Sequence, residues 1–166
     1  MPVPVWSPGQ VLTASDVNTW FVPVIAYKTT DLGRTTTSQT ADPDITLAVA
    51  ANSTYTVEGV LFYKSTTAGT DFQWTWAIPA GTAGGLYVAT YLGSGGGAVV
   101  ADTNGWTDPA KAADATVANQ VYGVRISGTL STGGTAGNFT LLWAASAGAP
   151  TTTLTARTRI QLNKAG

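Results

Sequence analysis

The sequence predicts an all-β protein: an antiparallel β-sandwich, jelly-roll-like, led by a short arm with one brief helix. Three observations point there. Several segments alternate apolar and polar residues with the period of a half-buried strand. Clusters around the 19 glycines and 8 prolines cut the chain into short runs at strand-like spacing. Threonine is the commonest residue and there are 6 Trp and 6 Tyr, the β-branched and aromatic types that strands select.

Residues 1–30 read as the arm. Pro2, Pro4 and Pro8 keep its start extended. Thr13 followed three residues on by Asp16 has the form of a capping box, with Leu12 placed to staple against Val17. Pro23 stops this helix after about two turns, too short to be stable alone. Its apolar residues Leu12, Val17, Trp20 and Phe21, with Trp6 before them, therefore need a surface. That surface is either the sandwich's own core or a groove on another subunit. Residues 31–40 read as a Thr-rich linker, and 41–166 as the sandwich.

Within the sandwich, 45–50 reads as a first strand, turned by Asn52-Ser53. In 54–64, Tyr55, Val57, Leu61 and Tyr63 share a face. In 71–78, Phe72, Trp74, Trp76 and Ile78 face one way, and Pro79-Ala80-Gly81 ends the strand. A strand over 86–92 and a glycine-rich tip at 93–97 lead to a short edge at 98–101. Residues 102–109 read as a polar loop that exposes Trp106 beside Asn104. The last three strands are 116–130, 138–145 and 151–162.

Composition excludes much chemistry. The chain has no His and no Cys, which removes imidazole acid–base catalysis, thiolates and the usual zinc sites. Charged residues are 10% of the chain, against about 25% in ordinary domains. A net charge of −1 without a basic patch argues against a nucleic-acid partner. No basic leader or run of ~18 apolar residues suggests a signal peptide or a membrane span. So few charges suit a surface that other subunits cover.

Candidate chemistry is thin. Glu58 and Asp71, on neighbouring predicted strands, are the one carboxylate pair with a glycosidase-like placement. Asp42-Pro43-Asp44 offers too few oxygens for calcium and reads as a turn. The G-x-G-x-x-A of 93–98 lacks the helix that would make it a dinucleotide site. No catalytic residue, metal or cofactor is expected, and the chain reads as a binding protein rather than an enzyme.

Three runs resemble small virion proteins of tailed actinobacterial phages. Residues 5–18 are similar to their opening phrase W-x-x-G-x-V-x-T-A-x-x-x-N. Residues 51–59 are similar to A-N-x-x-Y-x-x-x-G. Residues 71–81 resemble a D-φ-x-W/F-x-φ-x-φ-P-A-G strand and turn, φ being apolar. The resemblance implies a structural part of a phage particle: a capsid decoration or head-fibre protein, or else a minor tail or tail-fibre protein. Such a part stands on the outer surface of the virion, partnered by major capsid or tail proteins. The strand order is also similar to the trimeric jelly rolls of the tumour-necrosis-factor type used in phage appendages, which implies a homotrimer. On the decoration reading, Trp6, Leu12, Val17, Trp20 and Phe21 dock on the particle. On the tail reading, Trp106 and Asn104 meet a host surface glycan.

Overall fold

A computed structural model describes residues 7–20, 22–91, 100–106 and 111–165. In chain order it contains helix α1 (Ala14–Trp20), then strands β1 (Val24–Tyr27), β2 (Leu32–Arg34), β3 (Thr40–Val49) and β4 (Thr54–Ser65). These are followed by β5 (Thr70–Ala77), β6 (Leu86–Tyr91), β7 (Val100–Asn104) and β8 (Lys111–Ala115). The last are β9 (Tyr122–Ser131), β10 (Gly137–Ala145), β11 (Thr152–Leu154) and β12 (Arg159–Lys164).

The strands form two antiparallel sheets. The smaller has the order β3-β10-β5-β8, and the larger β1-β12-β4-β9-β6-β7, with β11 bridging β4 and β2. Stripped of its additions, β4-β9-β6-β7 opposite β3-β10-β5-β8 is the strand order of a jelly roll. The expected fold class is what forms.

Alternation builds the core. In β5 the buried positions are Thr70, Phe72, Trp74 and Trp76, and in β4 they include Tyr55, Val57, Leu61 and Tyr63. Between the sheets run stacked rings: Tyr122 to Tyr63 at 5.7 Å, Tyr63 to Phe72 at 5.1 Å and Phe72 to Trp74 at 5.4 Å. Gly59 is the one gap in the inner row of β4. A Cβ there would stand 2.6 Å from the Arg159 carbonyl oxygen and collide with the Ile160 side chain, which fills the space.

The chain departs from the expected pattern at several places, among them 42–44 and 102–104, which lie in β3 and β7 rather than in a turn and a loop. Val24–Tyr27 and Leu32–Arg34, assigned above to arm and linker, are strands: β1 pairs with β12, and β2 with β11. Lys111–Ala115 was not foreseen as a strand, yet it pairs with β5 from Thr70 to Trp74. β9 begins at Tyr122 rather than 116, because Tyr122 Oη accepts the Val117 N–H at 2.7 Å and holds 117–121 as a turn. The final strand is broken in two. Arg157 has φ 77°, and the Thr155 N–H donates to the Phe62 carbonyl at 2.7 Å across the gap.

Candidate docking surface

The arm folds locally before it meets the sandwich. Gln10 N–H donates to Ser7 O at 3.0 Å in a turn where Gly9 has φ 86°. The capping box closes as expected. Thr13 N–H donates to Asp16 Oδ2 at 3.0 Å, and Asp16 N–H to Thr13 Oγ1 at 3.2 Å. The Thr13 hydroxyl and backbone bonds hold the Asp16 carboxyl below its ordinary value.

The described apolar side chains of the arm stay open. Leu12 and Val17 are exposed, and Val11 is 81% exposed. Val22, just before β1, and Val24 at its start are open, and on the strand's other face Ile25 and Tyr27 are 54% and 51% exposed. Beside it lies a groove of about 380 Å³, lined by Asn18, Val22, Val24, Tyr55 and Leu162 among others. β1 is also the outer strand of its sheet, with β12 on one side only.

Immediately after β1 the chain is locked. Lys28 and Asp42 are 1% and 0% exposed and lie 3.2 Å apart, with Asp44 2.8 Å from the same ammonium. Asp42 Oδ2 also accepts the Trp143 indole N–H at 2.9 Å, while Oδ1 accepts the Asp44 and Ile45 N–H groups at 3.0 and 3.1 Å. A bulge makes this possible. Between the pairs Thr140↔Thr46 and Leu142↔Ala41 the register slips, and the slack turns Asp42 inward. Pro43, which has no N–H to lose, sits in that slack on an edge strand. Arg34 closes the cluster. Its guanidinium lies 4.1 Å from the Trp143 ring centroid and donates to the Trp143 and Thr40 carbonyls at 2.6 and 2.7 Å. Two cations and two carboxylates thus tie the end of β1, in the larger sheet, to β3 and β10, in the smaller.

The sequence-derived residues fall out as follows. Leu12 and Val17 belong to the exposed surface of the arm. Trp6 and Phe21 lie outside the described residues; Trp20 ends α1 and Asn104 ends β7, their side chains likewise outside the description. Trp106 is a correction: it is 3% exposed, not a loop-tip residue. Its indole N–H donates to Thr129 O at 2.7 Å, and its ring stands edge-on to Trp76 and Phe139 at 6.0 and 5.0 Å. Glu58 and Asp71 do not meet, since they lie on different sheets. Asp42 and Asp44 face Lys28 rather than open space. Sequence reasoning missed Lys28 and Arg34, for which a lone cation in a Thr-rich stretch is no signal.

Asp71 has another neighbour. It stands directly across from Asp114 in the β5–β8 register. Burial, then the Asp114 charge, raises its carboxyl above the ordinary value. A raised folded-state value means a penalty present at neutral pH that disappears as pH falls through it. Asp71→Asn is therefore expected to be more stable than the parent at pH 7. The gain is about 0.5 kcal/mol, kept small because the pair is open to solvent screening. Urea titrations should show the two chains converging near pH 3, and a constant gap would reject like-charge repulsion as the cause.

No family model and no curated protein matches the chain. Among solved structures it is similar to a chain of the baseplate tripod of bacteriophage Tuc2009, at 14% identity and a TM-score of 0.32, covering 98% of this chain and 74% of that one. It is similar to the Gt strain of infectious bursal disease virus at 12% identity and a TM-score of 0.21, covering 100% of this chain and 43% of that one. The T=1 particles derived from that virus give 10% identity and a TM-score of 0.23, covering 98% and 42%. The chain thus spans under half the length of the bursal-virus chains. Scores this low do not establish a shared chain trace, and the jelly-roll assignment stands on strand order alone.

Proposed function

We propose that this chain is a structural protein of a phage virion, a capsid decoration or head-fibre subunit held on the particle by its N-terminal segment. The observation that carries the reading is the arm itself: a helix capped by local bonds and an edge strand held by β12, which leave Val11, Leu12, Val17, Ile25 and Tyr27 open. Support comes also from the resemblance of 5–18, 51–59 and 71–81 to virion proteins, because those motifs carry structural positions here. Gly9, Asn52 and Gly81 adopt φ of 86°, 49° and 72°.

The mechanism is burial. Each half-open aliphatic side chain covered by a partner contributes about 1 kcal/mol, and the lock at Lys28 lowers the ordering cost of the strand that presents them. A homotrimer would engage three arms at once and gain through effective concentration. A minor tail protein would use the same arm, and copies per particle separate the two sites.

The test is Leu12→Asp with Val17→Asp in the full chain. Both positions are exposed, so the thermal midpoint should hold within the scatter of surface substitutions, while incorporation into particles falls at least tenfold. Undiminished incorporation would remove the anchoring role. Light scattering should show three chains per molecule in solution, and a monomer would remove the trimer.

A further inference from the structure

The outer face of the larger sheet carries charged groups that the anchoring role does not use, and it shares the open Tyr27 ring with that role. One cross-strand row runs Tyr27, Arg159, Val60, Arg125, in successive register on β1, β12, β4 and β9. The adjacent row on the same face places Gln161 beside Glu58. Arg159 and Arg125 thus flank Val60 with their backbones about 10 Å apart, two strand spacings. A depression of about 190 Å³ lies there, lined by Glu58, Val60, Arg125, Arg159 and Gln161 together with backbone of Gly59 and Ile126.

Several of the chain's cations are committed elsewhere, whereas these two arginines stand on one face at the same depression. Lys28 and Lys64 are committed to Asp42, Asp44 and Asp31, and Arg34 to backbone carbonyls and Trp143. Arg125 and Arg159 are exposed, and among the described residues neither has an ion pair or hydrogen bond, although Glu58 lies diagonally between them. Two exposed guanidinium forks either side of the Val60 side chain suit a planar carboxylate.

We propose that this depression binds a carboxylated sugar, a single uronic-acid-type ring. Charge decides the class. Two arginines and one glutamate sum to +1, which matches one carboxylate and disfavours a dense polyanion, whose charge Glu58 would repel. Glu58 and the Gln161 Oε1 supply acceptors for the hydroxyls that a sugar carries and a simple anion lacks, the Gln161 Nε2 already donating to Asn163 Oδ1 at 3.0 Å. Tyr27, open at the end of the row, offers a ring face beside Arg159. The size fits as well: about 190 Å³ is below the ~300 Å³ of the smallest drug-sized pockets, and suits one ring.

The inference does not rest on the anchoring role, and its test is separable from it. Full-length isotope-labelled protein is titrated with methyl β-glucuronide and, separately, with methyl β-glucoside and acetate. The glucuronide should saturate, with amide shifts confined to β4, β9 and β12 around Val60. The glucoside and acetate should bind at least tenfold more weakly. Arg125→Gln and Arg159→Gln should each cost tenfold or more in glucuronide affinity. Arg157→Gln, exposed but outside the depression, should cost nothing, and Leu12→Asp should leave binding intact. Equal binding of the glucoside or acetate overturns the proposal. So does insensitivity to both arginine variants, or light scattering in which those variants break an oligomer, which would mean that a second copy covers this face.

Discussion

Asp42→Ala should be among the most damaging single substitutions in the protein, costing about 3–5 kcal/mol and lowering the thermal midpoint by on the order of 10 °C. The reason is what it strands. Lys28, 1% exposed, would keep only Asp44, whose carboxylate is partly open to water. The Trp143 indole N–H and the Asp44 and Ile45 N–H groups would lose their acceptor together. Lys28→Met should cost less, because Asp42 keeps three donors and a methionine fills the volume. Asp44→Ala should cost least. Calorimetry or urea titration of the three variants checks the ranking. If Lys28→Met proved worse than Asp42→Ala, the cluster would be stabilising through the ammonium rather than through the carboxylate at its centre.

That cluster marks the limit of what the chain reveals when read as a string. Alternation made β5 and most of β4 legible, since Phe72, Trp74 and Trp76 all face inward as their spacing requires. The capping box was legible because its chemistry is local to Thr13 and Asp16. Turn residues were legible at Asn52 and Gly81 for the same reason, each sitting at positive φ. What could not be read depends on partners distant in sequence. Lys111-Ala112-Ala113-Asp114-Ala115 has little strand propensity, and becomes β8 because the edge of β5 offers it a ladder. Asp42-Pro43-Asp44 reads as a turn until Lys28 and Trp143 arrive from 14 and 101 residues away. The open apolar stripe of the arm was half legible. The helix follows from pattern, but pattern left open what its apolar residues meet, and the entry of Val24–Tyr27 into the sheet required a free edge on β12.

Trp106 was misread for the same physical reason, and it sets the second large effect. A tryptophan between Asn104-Gly105 and a proline-bearing stretch looks like a loop tip. In the fold, Trp106 follows β7 closely, and its indole packs against Trp76 and Phe139. Trp106→Ala should therefore cost about 3–5 kcal/mol through lost burial and the cavity left behind. Trp106→Phe should keep much of the packing. It would still leave the Thr129 carbonyl without the indole N–H now 2.7 Å away, at about 1–2 kcal/mol. The backbone nearby has closed around the ring: a Cβ on Gly84, whose φ is 140°, would stand 3.1 Å from the indole nitrogen and collide with the Thr129 carbonyl. Urea titration monitored by far-ultraviolet dichroism, which does not depend on the removed fluorophore, measures both costs. A surface recognition residue would give the opposite pattern, with Trp106→Ala leaving stability within about 0.5 kcal/mol of the parent.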